Sequence, residues 1–435
     1  MPEIKSFLVH DRSKAPGNKY AGRRRKDKPM PEEQKPVAQP VSQEPPAAPV
    51  VEVPAEPEVL DLLDVSDVPL PPQEVKEKVE DEIGKPVAFN WAILGSGQGG
   101  GRLAHQFWNM GYRRVVAVNT AQTDIKPLQL PEENKLIIGT SGAGGKLEDG
   151  FKAAKQHHED IHDIMRRKFG TDFDRILITA TAGGGTGSGS AAELVDICGE
   201  FMDKLELRKH GGDPKVGVIL ALPKESDGKH AHYNAFNTFT KLYSMLPDKI
   251  SPLIVIDNQR ISKLYPDLSV EEFWTRSNQT ICSIFHLINV VSARHSEYTS
   301  FDKADLETIL QSGLLVFGAT PMAKWDARED MGVAIRDNLK RNVLVGGLDL
   351  SSGSVAGCVL VANKDVLRSV KQDALDDGFS MLGRMLSSGS AVHRGIYAGN
   401  NPRPVVYTMI GGLAAPVERL RVLQRIGGIA DWDDA

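Results

Sequence analysis

The sequence predicts an α/β protein in which a parallel sheet carries helices on both faces. Short apolar runs alternate with longer amphipathic stretches from residue 89 onward, as expected where strands alternate with helices. The apolar runs are nearly continuous, which is typical of strands that are buried on both faces of a sheet. Hydrophobic residues make up 41% of the 435 residues. No apolar run approaches the roughly 20 residues that span a bilayer.

The predicted elements form two α/β regions joined by a long helix. The first region has predicted strands at 90–94, 114–118, 135–138, 175–179, 216–221 and 253–256 and helices at 101–110, 150–168 and 188–204. The long helix is predicted at 271–291. The second region, with a smaller sheet, has predicted strands at 314–318, 356–362 and 405–411 and helices at 325–340, 364–386 and 417–426. The predicted domains are therefore 88–270, 271–312 and 313–427, followed by a short acidic tail at 428–435.

The first 87 residues differ in composition from the rest of the chain. Fifteen of the 26 prolines precede residue 88, and proline prevents regular backbone pairing. Residues 1–30 hold nine Lys/Arg against three Asp/Glu, whereas residues 31–82 hold three Lys against fourteen Asp/Glu. We therefore predict a disordered arm over 1–87. Its basic head at 1–30 either keeps the arm solvated or contacts DNA, a membrane surface or an adaptor.

Two glycine-rich segments each follow a predicted strand and open a predicted helix. The first is 95–101 and the second is 183–189. Glycine lets backbone N–H groups approach an anion closely, and a helix N-terminus adds partial positive charge. The sequence contains no P-loop lysine. Bound phosphate would therefore be neutralised by backbone amides, helix dipoles and a metal ion.

The first glycine segment also fits a dinucleotide-binding fingerprint through Gly95, Gly97 and Gly100. That fingerprint requires a carboxylate at the end of the next strand to hold a ribose. The next strand ends instead at Asn119 and Thr120. An NAD-dependent oxidoreductase is therefore disfavoured.

The second glycine segment, Gly183-Gly184-Gly185-Thr186-Gly187-Ser188-Gly189, resembles the signature loop of the tubulin/FtsZ superfamily. The resemblance extends over 88–415 and implies a GTP-binding domain at 88–270 that holds GTP or GDP with Mg²⁺. It assigns nucleotide contacts to Gly97, Gln98, Gly99, Asn119, Ala143, Gly144, Gly145, Gly183, Gly184, Gly185, Thr186, Gly187, Ser188, Asp227, Asn258 and Asn278. Gln98 is implied to lie near the phosphates and the metal. Asp227 is implied to approach the sugar or the subunit contact. Asn258 and Asn278 are implied to read guanine, because an amide offers a donor and an acceptor together.

The resemblance also implies a catalytic site that is split between subunits. FtsZ carries two aspartates in the loop after its long helix, and Asp302 and Asp305 match them. They are implied to orient a water in the pocket of the neighbouring subunit. Their spacing alone also fits a helix start with Ser300 as the N-cap. Ser300 replaces an FtsZ asparagine, and Ala121 replaces an FtsZ aspartate in the second phosphate loop. The sequence leaves open whether Asp124 compensates as a metal ligand.

The expected function is that of a cytoplasmic GTPase whose copies polymerise head to tail and hydrolyse GTP at their contact. The filament would serve division or the positioning of DNA or a phage compartment, in a divergent prokaryotic, phage or plasmid-type member of the superfamily. The alternative is a GTP-binding regulator or scaffold that does not polymerise. The cysteines Cys198, Cys282 and Cys358 have no metal-ligand spacing. We expect them to be buried apolar residues in a reducing compartment, without disulfides or structural zinc.

Overall fold

The computed structural model describes residues 86–139, 141–207, 215–342, 345–387 and 389–430. The predicted arm, except for its last two residues, lies outside the described residues, and so does most of the predicted acidic tail. The basic head at 1–30 therefore stays a prediction from the sequence. Among the described residues, no helix is both long enough and apolar enough to span a bilayer.

The regular elements agree closely with the predicted alternation of strands and helices. The strands are β1 (Trp91–Ser96), β2 (Val115–Asn119), β3 (Lys135–Ile137), β4 (Arg175–Thr181), β5 (Val216–Leu222), β6 (Leu253–Asp257), β7 (Leu314–Pro321), β8 (Val355–Ala362), β9 (Ala391–Ala398) and β10 (Val405–Gly411). The helices are α1 (Gly97–Asn109), α2 (Gln122–Ile125), α3 (Leu147–Gln156), α4 (His158–Phe169), α5 (Thr186–Lys204), α6 (Lys229–Tyr243), α7 (Asn258–Leu264), α8 (Val270–Val291), α9 (Lys303–Leu310), α10 (Asp330–Asp337), α11 (Lys364–Ser369), α12 (Gln372–Met385) and α13 (Val417–Gly427). Short 3-10 turns occur at Glu132–Asn134 and Leu350–Ser352, and a π-helical turn occurs at Asn338–Asn342.

All of these strands belong to one sheet, in the order β3-β2-β1-β4-β5-β6-β7-β10-β8-β9. Strands β1 to β7 are parallel wherever they pair with one another. Strand β10 is antiparallel to β7 and β8, and β8 is parallel to β9. The mostly parallel α/β fold is therefore confirmed. The strands of the second region extend the first sheet instead of forming a separate one.

The two regions of the sheet meet between β6 and β7. Within the described residues, only Leu253 and Ile254 of β6 pair with β7, through Leu314 and Leu315. In contrast, β10 pairs with β7 over its whole length. We call this short pairing the β6–β7 seam.

Helices cover both faces of the sheet, as predicted. Along β1, Ala92 and Leu94 contribute to one apolar layer, and Trp91 and Ile93 contribute to the other. Helices α3 to α6 and α10 to α13 close the first layer, while α1, α2, α7, α8 and α9 close the second. The three cysteines are buried in these layers, as expected of apolar residues.

Two predicted helices are each interrupted in the structure. The predicted helix at 150–168 is α3 followed by α4, because the backbone leaves helical geometry at His157. The His157 ring lies 2.7 Å from the Asp160 carboxylate at this junction. The predicted helix at 364–386 is α11 followed by α12, with extended backbone at Val370 and Lys371.

The predicted helix at 325–340 begins later than expected. Asp330 is the first residue of α10, and its carboxylate accepts a hydrogen bond from the Ala327 N–H at 2.9 Å. This bond forms the turn that precedes the helix, so the residues before it are not helical.

Strand β9 and helices α6 and α7 were not predicted. The first half of β9 is partly exposed and carries His393 and Arg394, so its apolar run is too short to be recognised. The sequence of α6 is rich in polar and aromatic residues, so its helical apolar pattern is weak.

Candidate functional site

A cavity of about 460 Å³ lies at the carboxyl ends of β1, β2, β4, β5 and β6. Ligands of parallel α/β sheets bind at this edge, where loops and helix N-termini converge. Fourteen of the sixteen predicted nucleotide contacts line it: Gly97, Gln98, Gly99, Ala143, Gly144, Gly145, Gly183, Gly184, Gly185, Thr186, Gly187, Asp227, Asn258 and Asn278. Residues that are far apart in sequence are thus brought to one cavity.

The remaining two predicted contacts lie behind the wall of the cavity. Asn119 is 2% exposed, and its Oδ1 accepts a hydrogen bond from the Ala121 N–H at 3.1 Å. Ser188 is 5% exposed, and its hydroxyl donates to the Thr181 carbonyl at 3.2 Å. Both side chains therefore hold cavity loops in place instead of lining the cavity.

The N-termini of α1 and α5 converge on the cavity because α1 packs directly against β4. A Cβ on Gly100 would lie 2.1 Å from the Thr179 carbonyl oxygen, so only glycine fits there. The Thr179 hydroxyl donates to the Gly100 carbonyl at 2.8 Å. The Ser96 and Ser190 hydroxyls lie 2.7 Å apart and link the last residue of β1 to α5. Two sets of unpaired helix N–H groups therefore face one space, which suits a phosphate anion.

The third loop of the wall is held by α6. Gly144 has a φ of +53°, a conformation that favours glycine. The buried Asn234 side chain donates to the Gly145 carbonyl at 2.7 Å and to the Gly183 and Gly184 carbonyls at 3.3 Å. Asn234 therefore ties this loop to the second glycine segment from behind.

At the other end of the cavity lie groups that suit a purine base. Asn258 is the first residue of α7, and Asn278 lies on α8. Trp274 lies one helical turn before Asn278 and also lines the cavity, although sequence reasoning missed it. The signal was an aromatic residue four positions before an amide on the same helix. An indole face can stack on a base while the amides bond its edge.

The loop between β5 and α6 completes this end of the cavity. The Asp227 carboxylate accepts a hydrogen bond from the Lys224 N–H at 2.8 Å. The Lys224 ammonium lies 3.8 Å from the ring centre of Phe273 and 5.4 Å from that of Trp274. A cation over an aromatic face is attracted to it, so Lys224 links the loop to α8 beside Trp274.

Helix α13 contacts the residues that form the same end of the cavity. Arg419 pairs with Asp257 through two hydrogen bonds of 2.9 and 3.0 Å, and it donates to the Pro223 carbonyl at 2.5 Å. Burial raises the pKa of Asp257, and the Arg419 guanidinium opposes that rise. Asp257 also accepts a bond from the Gln259 N–H and so caps the helix that begins with Asn258.

The charged residues that line the cavity are Arg102, Asp124 and Asp227. Gln98 and Asp124 meet on the wall, with Nε2 and Oδ1 3.3 Å apart. Within the described residues, no cluster of three or more His, Cys, Asp or Glu could hold a metal ion. Arg102, the cation of this wall, was also missed by sequence reasoning.

The two predicted catalytic aspartates lie away from this cavity, at the start of α9. Asp302 is the N-cap, and its carboxylate accepts from the Ala304 and Asp305 N–H groups at 2.9 and 3.0 Å. The Asp305 carboxylate accepts in return from the Asp302 N–H at 3.0 Å. Ser300 is not the N-cap, because its hydroxyl accepts instead from the Ser296 N–H.

Helix α9 lies at the amino end of β4, and the glycine loops follow its carboxyl end. Glu307 on α9 lies 3.6 Å from Arg175, the first residue of β4, and Lys303 lies 3.6 Å from Asp174. Seven residues of strand separate the two ends, or about 20 Å at the usual rise. The structure therefore does not bring Asp302 and Asp305 into the cavity of the same subunit.

The fold and the cavity define a class of protein: an α/β protein that holds a phosphorylated ligand between glycine-rich helix N-termini. Residues 90–266 match the family model described as Tubulin/FtsZ family, GTPase domain. Residues 90–266 therefore form a GTPase domain of the tubulin/FtsZ family.

Individual relatives agree with this assignment. The chain is 26% identical to the tubulin-like protein CetZ of Pyrococcus abyssi over 337 residues, which cover 74% of this chain and 85% of CetZ. It is 23% identical to the tubulin-like protein TubZ of Bacillus cereus over 245 residues, which cover 52% of this chain and 53% of TubZ. The chain thus matches about half the length of that relative.

A solved structure shares the fold. The GTPγS-form protofilament of TubZ from Bacillus thuringiensis serovar israelensis has a TM-score of 0.68 at 19% identity. The superposition covers 79% of this chain and 92% of the TubZ chain. The shared fold therefore includes both halves of the sheet.

Proposed function

We propose that this chain binds GTP in the cavity at the carboxyl ends of the strands, polymerises head to tail and hydrolyses GTP where two copies meet. The observation that carries the proposal is the separation of two sets of groups. The phosphate-binding loops lie at the carboxyl ends of the strands. Asp302 and Asp305 lie at the start of α9, near the amino end of β4. Head-to-tail stacking brings such opposite edges of successive copies together.

The triphosphate is held mainly by backbone amides. The loops after β1 and β4 place the N-termini of α1 and α5 around one space, and Gly144 and Gly145 close its third side. These donors are fixed before the ligand arrives, since Asn234 and Thr179 already hold the loops. Fixed donors stabilise negative charge that develops on phosphoryl oxygens.

Guanine occupies the opposite end of the cavity. Asn258 and Asn278 bond its polar edge, and Trp274 stacks on its face. Asp227 binds the sugar or the next subunit. The cavity volume of about 460 Å³ lies in the range of small-molecule sites.

Gln98 and Asp124 would hold Mg²⁺ beside the phosphates of the nucleotide. An oxygen-rich set of one carboxylate, one carboxamide and phosphate oxygens fits this hard cation. Asp124 supplies the carboxylate that Ala121 lacks, and its contact with Gln98 places both on one wall. A bound Mg²⁺ neutralises charge on the phosphates.

Hydrolysis uses the aspartates of the neighbouring copy. Asp302 and Asp305 orient a water toward the γ-phosphorus, and a carboxylate accepts its proton. The new P–O bond forms as the bond to the bridging oxygen breaks, so GDP and phosphate leave. Assembly therefore completes the active site.

The relatives agree with polymerisation, since the TubZ structures include a protofilament and a two-stranded filament. We place the protein in the cytoplasm, where the filament serves division or the positioning of DNA or a phage compartment. The basic head at 1–30 is a candidate contact to DNA, a membrane or an adaptor. That head lies outside the described residues.

The test measures GTP turnover and light scattering together over a range of protein concentrations. We expect turnover to begin only above a critical concentration. Asp305→Ala should still scatter light with GTP but hydrolyse it about a hundredfold more slowly. Glu297→Gln, which changes an exposed acid near the same loop, is the matched control and should behave as wild type. A protein that binds GTP but neither scatters nor turns over would instead be a regulator or scaffold.

A further inference from the structure

Strand β9 holds the loop that carries the two aspartates. His393, Gly395 and Tyr397 alternate along β9 and lie on one face of the strand. The Tyr397 hydroxyl accepts from the Phe301 N–H at 2.8 Å and donates to the Phe301 carbonyl at 3.0 Å. The Ile396 N–H donates to the Thr299 carbonyl at 2.9 Å. The loop before α9 is thus bonded to β9 through backbone and side chain.

His393 extends this contact to the catalytic pair itself. Its Nδ1 lies 2.5 Å from Oδ1 of Asp305. The other carboxylate oxygen, Oδ2, accepts from the Asp302 N–H at 3.0 Å. Because each oxygen of Asp305 has a donor, the side chain is fixed in one orientation. Each oxygen keeps a second lone pair that can accept a bond from water.

The other ring nitrogen of His393 supports a specific role for this contact. Nε2 is buried and has no hydrogen-bond partner among the described residues. An apolar side chain would fill the same space without burying an unpaired nitrogen. The bond to Asp305 therefore distinguishes histidine from an apolar residue at this position. It also places the ring proton on Nδ1, toward the carboxylate.

We propose that His393 is a positioning residue for GTP hydrolysis, which holds Asp305 in the orientation that binds the attacking water in the neighbouring copy. The inference rests on the proposed function, since it acts through Asp305. His393 does not line the nucleotide cavity. Its removal should therefore change turnover within the filament while GTP binding stays as it is.

The test compares His393→Leu with His393→Asn. Leucine fills space but has no donor, whereas the amide nitrogen of asparagine lies at the same number of bonds from Cβ as Nδ1. We expect His393→Leu to lower kcat in assembled protein about tenfold, because a misplaced catalytic group loses much of its effect. His393→Asn should recover kcat to within about threefold of wild type, because the donor is restored. The critical concentration and the Kd for GTP should stay within about twofold of wild type in both variants.

The controls separate this inference from the function on which it rests. Wild-type kcat in His393→Leu, together with a loss in Asp305→Ala, would overturn the inference and leave the proposed function standing. An equal loss of kcat in the Leu and Asn variants would overturn it too, because the donor would then be irrelevant. If wild-type filaments do not hydrolyse GTP, both proposals fail. If His393→Leu does not fold, His393→Gln replaces it. The amide nitrogen of glutamine lies one bond further from Cβ than Nδ1 of histidine, so this variant does not place a donor where Nδ1 lies.

Discussion

Three charged side chains set the charge of the cavity wall. Its wall holds one guanidinium, Arg102, and two carboxylates, Asp124 and Asp227. A nucleoside triphosphate brings several negative charges, so a carboxylate beside its phosphates is unfavourable unless a cation lies between them. The Gln98–Asp124 contact makes Asp124 the better candidate for that place. Asp227 is held by the Lys224 N–H at the opposite end.

Asp124→Asn is expected to raise the Mg²⁺ concentration needed for half-maximal turnover. The carboxamide keeps the shape of the side chain but loses the charge that a hard cation prefers. We expect an increase of about tenfold, equivalent to roughly 1.4 kcal/mol. Turnover measured during a Mg²⁺ titration gives the value. Asp227→Asn is the matched control, and an equal increase there would contradict the assignment of Asp124.

The residues that line the cavity and those near Asp305 show how much of the candidate site could be predicted from the sequence. The glycines and the two asparagines were found because each belongs to a motif at a strand end or on the long helix. Trp274 was missed because guanine recognition was sought only in amides. The contact between His393 and Asp305 joins residues 88 positions apart across an unpredicted strand, so no local pattern indicates it. The spacing also allowed Ser300 as the N-cap of α9, but Asp302 forms a reciprocal capping box with Asp305 instead.

At the scale of elements, β9 is the strand that holds the loop before α9, residues 299–302. Tyr397 satisfies both backbone groups of Phe301, the residue that precedes Asp302. Burial raises the pKa of Tyr397 to about 12, so its hydroxyl remains a donor at any physiological pH. The loop is therefore fixed from the strand side as well as by its own capping box.

Tyr397→Phe is expected to destabilise the protein and to lower turnover. The change leaves the Phe301 N–H and carbonyl buried without their partner, which costs about 1–3 kcal/mol of unfolding free energy. Urea unfolding measures the loss. The control is Tyr407→Phe, because the Tyr407 hydroxyl is buried without a hydrogen-bond partner among the described residues. That variant should be neutral or slightly more stable, and a larger loss there would contradict this account.

Elements were predicted well where apolar periodicity was strong and poorly where it was weak. The central strands are buried on both faces, so their sequences are nearly continuous apolar runs. Strand β9 lies at the edge of the sheet, and its first four residues are partly exposed. Helix α6 has a polar and aromatic sequence in which Asn234 faces the cavity loops. Its pattern resembles a functional loop more than an amphipathic helix.

At the scale of the whole molecule, α13 connects the last part of the described chain to the base end of the cavity. The Arg419–Asp257 pair is buried, with side chains 6% and 5% exposed. Asp257 also caps α7, where Asn258 begins. A contact some 160 residues apart in sequence therefore fixes a residue that we assign to guanine binding.

Arg419→Met is expected to lower the free energy of unfolding by about 3–5 kcal/mol, because it leaves a buried carboxylate without its partner. Loss of the guanidinium also removes the interaction that lowers the pKa of Asp257. The native state then takes up a proton more readily than the unfolded state. The destabilisation should therefore be full at neutral pH and shrink as the pH falls. Urea unfolding over a pH series measures both.

The double variant Asp257→Asn/Arg419→Met is the control for the charge argument. It removes both charges, so it should be less destabilised at neutral pH than Arg419→Met alone. Its stability should also lack the recovery at low pH. A double variant that is as unstable as the single one would mean that lost packing, rather than an unpaired carboxylate, explains the effect.

The β6–β7 seam determines how a mechanical load passes through a subunit. The cavity lies on one side of this seam, and the β9 contacts that hold the loop before α9 lie on the other. In the part of the chain that the structure describes, only Leu253 and Ile254 of β6 pair across it, so few hydrogen bonds of the sheet join the two halves there. The two halves are also joined by side chains, because Arg419 of α13 pairs with Asp257 of β6 and Glu307 of α9 lies 3.6 Å from Arg175 of β4. In a filament of the proposed kind, a pull on the loop before α9 would therefore reach the first half through these side-chain pairs more than through the hydrogen bonds of the sheet.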